Sequence, residues 1–249
     1  METDLKIFDV VDSTNITLAQ MADLGAREGT CVVSFCQTAG QGRSGRTFYS
    51  PEGGNLYMSL LLRPASDELF NMITTMAAVA VVDAVREQFG IRTGIKWVND
   101  VIRDGRKICG IVARANNYGS RDSYVILGIG VNIYDAVSVP AEIKDRYGSI
   151  MGKPCDLSID EQHEQAIRLC RNIIDDFLIH YESDDPHAHI QKYRQYCIVI
   201  GRNIEYLSGD EVIHARVCGI DDEGGIVLDV AGTVKTYRDG EIRIRSLDM

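Results

Sequence analysis

Cys31-Val-Val-Ser-Phe-Cys-Gln-Thr-Ala-Gly-Gln-Gly-Arg-Ser-Gly-Arg46 joins an apolar run to a segment rich in glycine and arginine. The run from Cys31 to Cys36 predicts a strand, so the segment from Thr38 to Arg46 leaves the end of a sheet. Gly40, Gly42 and Gly45 let backbone amides approach an anion without a Cβ in the way. Arg43 and Arg46 add fixed charge and forked donors suited to carboxylate or phosphate oxygens. No Gly-Lys-Ser/Thr follows and the dinucleotide spacing is missing, which excludes a Walker A loop and a Rossmann fingerprint. Taken alone, the segment is either a solvated glycine-rich turn or an anion site.

The surrounding chain narrows that choice. With 249 residues, 45% hydrophobic and 25% charged, it is long enough for a full core, in one large domain or a large and a small one. A formal charge of -10 disfavours a general nucleic-acid binder, whose affinity rests on neutralising phosphates. A basic loop on an acidic body suits a small anionic ligand. No signal peptide is evident, and no stretch is expected to approach a membrane-spanning length, the longest candidate being interrupted by Asp83. Seven cysteines without Cys-x-x-Cys pairing predict reduced, mostly buried thiols in a cytoplasmic protein. His187 and His189 have no third residue spaced to make a metal site with them.

N-terminal to the loop, Asp12-Ser-Thr-Asn15 precedes a short helical pattern from Ile16 to Leu24, closed by Gly25. Ser13 or Thr14 is a natural N-cap and Gly25 a natural C′ residue. Two hydroxyls and an amide at one helix N-terminus equally make a donor-rich ligand site, and spacing does not separate the two roles. C-terminal to the loop, Asn55 to Arg63 predicts a strand ended by Pro64. Asp67 to Phe89 predicts a helix apolar over most of its circumference, hence covered on more than one side.

Gly94-Ile-Lys-Trp-Val-Asn-Asp-Val-Ile-Arg103 and Arg106-Lys-Ile-Cys-Gly-Ile-Val-Ala113 predict two strands joined by Asp104-Gly105, the dipeptide of a type I′ hairpin. In that register Arg103 opposes Arg106, Ile102 opposes Lys107 and Asp100 opposes Cys109. Lys107 then lies diagonally beside Asp100 on one face, and Lys96 joins them if the strand runs unbroken. A mid-strand lysine on a core face is costly unless it meets an anion. The pair is therefore either a structural ion pair, or a lysine poised for phosphate or carboxylate beside an aspartate poised for a metal ion or an amine. Ser123 to Ile133 predicts a further strand. Gly128 and Gly130 open a slot on one of its faces, for something flat or for a closely packed neighbour, and Asn132 continues that face.

Ser158-Ile-Asp-Glu161 is a capping box for a helix with an apolar stripe from Ala166 to Leu178, and Glu182 to His189 is a polar break. Beyond about Tyr196, short strands separated by Ser208-Gly209, Glu223-Gly224-Gly225, Ala231-Gly232 and Asp239-Gly240 predict a small barrel.

Asp12-Ser-Thr-Asn15, Gln37 to Arg46, Lys96-Trp-Val-Asn-Asp100, Arg106 to Ile111, Gly128-Ile-Gly-Val-Asn132 and Gly240-Glu-Ile-Arg-Ile-Arg245 together resemble the motifs of biotin–protein ligases, also called biotin–acetyl-CoA-carboxylase ligases. The resemblance covers nearly the whole chain. It implies an α+β fold. A mixed-sheet catalytic domain with packed helices, like that of class II synthetases, would occupy residues 1–195, and a small SH3-like barrel residues 196–249. The implied reaction activates biotin with ATP and Mg²⁺ to biotinyl-5′-adenylate, releasing pyrophosphate, and then passes biotin to a lysine of a biotin carboxyl carrier protein.

Carried over residue by residue, the resemblance gives Ser13, Thr14, Asn15 and Gln37 to biotin's ureido and ring portion. Gln41, Gly42, Gly110, Val112, Gly128 and Gly130 complete the implied biotin pocket. Arg43 and Lys107 fall at the junction of biotin carboxylate and adenylate phosphate, and Asp100 at the metal ion or the incoming amine. Ser44, Arg46, Lys96, Asn99, Asn132 and Arg245 fall on the ATP side, Asn132 where adenine is read, with loop structure the equal alternative for Arg46.

Three positions depart from the family pattern. Gln41 stands where arginine is usual, Val98 where proline is usual, and Arg114 where an acidic residue is common. No room precedes Asp12 for the winged helix-turn-helix of bifunctional members, so DNA is not an expected partner, and with no membrane-length stretch expected neither is a membrane. Dimerisation through the sheet is common in the family, which leaves a homodimer open. The rival readings are a lipoate–protein ligase or octanoyltransferase, a non-catalytic biotin or nucleotide sensor, and an interaction protein built on the barrel.

Overall fold

The apolar runs on either side of the glycine loop form the middle of a seven-stranded sheet. The structure is a computed structural model describing residues 1–117, 123–153, 156–209, 211–238 and 242–247. Its first part runs β1 (Asp4–Val11), α1 (Thr14–Asp23), β2 (Thr30–Gln37), β3 (Leu56–Leu62), α2 (Asp67–Phe89), β4 (Gly94–Lys96), β5 (Asp100–Arg103), β6 (Arg106–Asn116), β7 (Tyr124–Val131), α3 (Ile159–Tyr181) and α4 (Ile190–Tyr196). The sheet order is β1-β2-β3-β7-β6-β5-β4; β1 and β2 are parallel and the other neighbours antiparallel.

Alternation assigns the two faces of this sheet. Cys31, Val33, Met58, Leu60, Leu127 and Ile129 pack on one side in a core shared with α2 and α3. Val32, Leu61, Tyr124 and Ile126 pack with Leu18 and Ala22 of α1 on the other. β3 and β7 are buried on both faces, which accounts for their unbroken apolar sequences. α1 covers only part of its face, and the remainder, near Gly110 and Gly130, is where the cleft lies.

α2 is capped by Ser66, whose side chain accepts from Leu69 N, and is buried without a break from Met72 to Val85. It is packed against the sheet, α3 and α4, the covering its apolar circumference called for. One expectation is corrected here. α2 is long and apolar enough to cross a membrane by length and composition, Asp83 notwithstanding, and burial inside the protein explains that composition. The capping box forms at the start of α3, with Ser158 and Glu161 reciprocally bonded.

The strand expected from Gly94 to Arg103 is also corrected. The chain turns back at Trp97-Val98-Asn99, and β4 pairs with β5, Lys96 opposite Asp100. The Trp97–Val98 peptide bond is cis. The Asp104-Gly105 hairpin forms, with φ of 49° and 75° at the two residues, as a type I′ turn requires. Arg103 opposes Arg106 and Ile102 opposes Lys107 as expected, but Asp100 opposes Gly110 rather than Cys109. A register shift beside Ile102 places an extra residue on β6. The shift leaves Lys107 and Gly110 on one face, since a Cβ on Gly110 would lie 2.9 Å from Lys107 Cε.

The C-terminal part runs β8 (Asn203–Ser208), β9 (Glu211–Ile220), β10 (Ile226–Val230), β11 (Thr233–Tyr237) and β12 (Arg243–Leu247). Among the described residues these make an antiparallel sheet in the order β11-β10-β9-β8-β12, consistent with the small barrel expected but without closing it. The expected Asp239-Gly240 turn and the Gly240-Glu241 end of the last motif lie outside the described residues. Ile204, Tyr206, Val217 and Leu228 of this sheet belong to the same core as α2 and α3. Trp97 Nε1 donates to Gly224 O at 2.9 Å, tying the turn after β4 to the turn between β9 and β10, and Ile198 N donates to Ile95 O at 2.9 Å, joining β4 to the segment after α4.

The described cysteines are all free thiols, and Cys155 lies outside the described residues. His187 contacts Glu68 Oε1 (2.8 Å) and Asp222 O (2.7 Å), bridging the start of α2 to the C-terminal sheet. Among the described residues no group of three or more His, Cys, Asp or Glu could hold a metal ion.

Candidate active site

Period-two alternation brings Gly110 and Val112 of β6 and Gly128 and Gly130 of β7 onto the α1 face, and these glycines floor the cleft. The cleft has about 410 Å³ of atom-free space, a figure that includes its open mouth. The floor is narrow because two side chains already use it. A Cβ on Gly128 would collide with the Asn15 amide, and one on Gly130 with the Phe48 ring. The slot inferred from the glycine pair thus admits a flat aromatic group, and that group is the protein's own Phe48.

The N-terminus of α1 forms one wall. Ser13 occupies the N-cap position, but its side chain makes no capping bond, and Oγ is buried without a partner. Thr14 does not cap either. Its N–H donates to Gln37 Oε1 (2.8 Å), and Gln37 Nε2 donates to Ser50 Oγ (2.8 Å). Ser59 Oγ lies 2.7 Å from both Thr14 Oγ1 and Asn15 Oδ1. These cross-bonds fix polar groups at the cleft wall without using them to cap the helix.

The loop after β2 forms the roof. Thr38 N and Ala39 N donate to Val11 O and Asp12 O, and Phe48 N donates to Gly40 O. A 3-10 turn at Arg43–Gly45 closes the loop, with Gly42 N donating to Arg46 O at 2.7 Å. Arg43 lines the cleft, and its Nη1 donates to Asn99 Oδ1 at 3.0 Å. Arg46 is exposed, and its Nε donates to Arg43 O at 3.3 Å. The Ser44 side chain lies outside the described residues.

The hairpin supplies the second cation. Lys107 lines the cleft and pairs with Asp100 at 2.5 Å, the two side chains 33% and 27% exposed. Its backbone is clamped by Lys107 N to Arg146 O (2.7 Å) and Gly148 N to Lys107 O (2.9 Å). Its ammonium lies 5.7 Å from the centre of the Phe48 ring. Arg43 and Lys107, from separate elements, are thus held by adjacent residues, Asn99 and Asp100, beside one cleft.

Other expected residues sit further out. Asn132 is buried; its Nδ2 donates to Gly148 O at 2.9 Å while its Oδ1 has no partner. Lys96 is half-buried on β4 outside the cleft lining, and Arg245 is exposed on β12 of the C-terminal sheet. Contributors not expected from sequence include Phe48, Tyr57 and Ser59. Tyr57 and Ser59 alternate with the core residues of β3, a signal present in the sequence but unread. Two departures from the family pattern meet, for Arg114 Nη1 donates to Gln41 Oε1 at 2.6 Å.

A sequence model described as the Biotin/lipoate A/B protein ligase family matches residues 7–132. The chain is 34% identical to "Bifunctional ligase/repressor BirA" of Bacillus subtilis (strain 168), over 95% of this chain and 72% of that protein. It is 28% identical to "Biotin--[acetyl-CoA-carboxylase] ligase" of Mycobacterium tuberculosis, over 92% of this chain and 85% of that protein. Among solved structures it is similar to a biotin protein ligase from Aquifex aeolicus in complex with biotin and ATP. That match has a TM-score of 0.78 and 28% identity, and covers 97% of this chain and 98% of that one.

Proposed function

Because the chain belongs to the biotin/lipoate A/B protein ligase family, we propose that it is an ATP-dependent biotin–protein ligase. The observation that carries this reading is the pair of cations, Arg43 and Lys107, lining one cleft beside the glycine-rich roof. In the first step an oxygen of the biotin carboxylate forms a bond to the α-phosphorus of ATP, and pyrophosphate leaves with the electron pair of the broken P–O bond. Negative charge gathers on the α-phosphoryl oxygens, and fixed cations in a water-poor site stabilise it. In the second step the neutral amine nitrogen of a carrier lysine bonds to the acyl carbon, AMP leaves with the electron pair of the broken C–O bond, and the nitrogen gives up a proton to solvent. Asp100, beside Lys107, is suited to accept a hydrogen bond from that amine.

The unpartnered Ser13 Oγ suits the ureido group of biotin, and the unpartnered Asn132 Oδ1 suits the amino group of adenine. Gln37, Thr14 and Asn15 join Ser13 on the biotin side, while Asn99, Arg46, Lys96 and Arg245 are assigned to ATP. Asp100 belongs to no group of three or more His, Cys, Asp or Glu that could hold a metal ion among the described residues, which fits Mg²⁺ held chiefly by the ATP phosphates. When bound, that ion neutralises phosphate charge. The C-terminal sheet is read as an SH3-like unit, the partner as a biotin carboxyl carrier protein, and the setting as cytoplasmic.

Calorimetric titration with biotin and with lipoate, followed by pyrophosphate release from ATP, tests the reading. Biotin binding with biotin-dependent pyrophosphate release is expected. Tight lipoate binding without biotin heat would move the protein to the lipoate branch of the family, and biotin binding without pyrophosphate would make it a sensor.

A further inference from the structure

Arg114, to which the resemblance assigns no role, is where the glycine loop is fastened to the sheet. The cleft face of β6 runs from Lys107 through Gly110 and Val112 to Arg114, so it carries a cation at each end. Arg114 Nη1 donates to Gln41 Oε1 at 2.6 Å, and Nη2 donates to Gly42 O at 2.8 Å. One planar guanidinium thus grips a side chain and a backbone carbonyl of successive loop residues, a fork that a lysine cannot reproduce. On the far side of Gly42, Arg43 reaches Asn99. Asn99 is itself laced to β6, its Nδ2 donating to Ile111 O (2.7 Å) and Ile111 N donating to Asn99 O (3.0 Å). The loop is therefore pinned on both sides of Gly42 and crosses β6 as a strap.

Resting on the ligase reading above, we propose that Arg114 is a positioning residue that latches residues 41–42 to the sheet. The latch holds Arg43 in place over the cleft and keeps the acyl-adenylate from escaping before the acceptor arrives. Arg114 touches the strap, not the reacting atoms.

Two measurements test the latch: hydrogen–deuterium exchange of the amides of residues 40–46 without ligands, and the rate at which biotinyl-adenylate escapes the enzyme without acceptor. Arg114→Ala loses two charge-assisted hydrogen bonds and is expected to speed both by at least about tenfold, raising KM for ATP more than it lowers kcat. Arg114→Lys and Gln41→Ala, which each keep part of the grip, are expected to fall between. Gln41→Arg alone sets two guanidinium groups against each other and opens the strap. Combining it with Arg114→Glu restores both rates to within about threefold, which mere structural damage would not do. Wild-type exchange and retention in Arg114→Ala, or a charge-exchanged double variant no better than its parents, overturns the latch. If the unmodified protein makes no adenylate, the ligase reading fails, and the ligand-free exchange still decides whether Arg114 holds the loop.

Discussion

Lys107 and Arg43 arrive at the cleft from a hairpin and a loop far apart in sequence, and neighbouring residues, Asp100 and Asn99, keep them there. Each is expected to stabilise charge that develops only as the α-phosphorus is attacked. Lys107→Ala and Arg43→Ala should therefore each slow adenylate formation by at least about tenfold, about 1.4 kcal/mol in the barrier, read as biotin-dependent pyrophosphate release. Wild-type rates in both would remove the assignment. Gly128→Ala tests the floor. Its Cβ meets the Asn15 amide, which must then leave Ser59, and biotin affinity should fall by at least about tenfold in a protein that still melts cooperatively. The meeting of Lys107 and Asp100 was legible because Asp104-Gly105 fixes the register close to the turn. The shift beside Ile102 was not, since no residue type there marks an extra residue. Phe48 escaped notice because a loop residue that folds back leaves no periodic trace. Arg114 escaped because its partners lie more than seventy positions away.

At the scale of elements, α2 and the capped start of α3 follow from local sequence: a sustained apolar pattern, Ser66 before Asp67, and the Ser158–Glu161 box. The break between β4 and β5 does not, because apolar residues continue straight through Trp97-Val98 while the chain reverses. α4 carries a titratable device at its N-cap. The Thr75 hydroxyl donates to Met72 O, so it accepts from His189 Nε2–H at 2.7 Å, which leaves His189 Nδ1 bare, buried and unpartnered. Burial, with His180 and His187 nearby, pushes the His189 pKa down to about 3. A base whose folded pKa is depressed is neutral in the folded state and takes up its proton on unfolding. Its contribution is therefore whole above about pH 6.5 and is lost as pH falls toward 3. Between pH 6.5 and 5 this costs about 2 kcal/mol. Urea unfolding should show that loss in the wild type and a shallower one in His189→Gln; equal slopes would contradict the assignment.

At the scale of the molecule, the C-terminal sheet shares one core with the helices behind the large sheet. Truncation after Gln195 would expose the faces that Tyr206, Val217 and Leu228 cover, and should abolish cooperative unfolding rather than leave a working ligase. Trp97 ties this sheet to the turn that carries Asn99 and Asp100. Trp97→Phe keeps most of the ring but orphans Gly224 O, a loss of about 1–3 kcal/mol in urea unfolding. Short strands and paired turn residues made the C-terminal sheet legible. The pairing of β12 with β8 was not, since it is a long-range contact that no local pattern encodes.

The central claim is that two cations beside a glycine-floored cleft join biotin to ATP and pass it to a lysine. Mass spectrometry of a biotin carboxyl carrier domain, incubated with the protein, biotin, ATP and Mg²⁺, tests this most directly. The expected result is one biotinyl adduct on the carrier, dependent on ATP and strongly reduced with the Arg43→Ala and Lys107→Ala proteins. An unmodified carrier with the wild-type protein, or equal labelling with all three proteins, would contradict it.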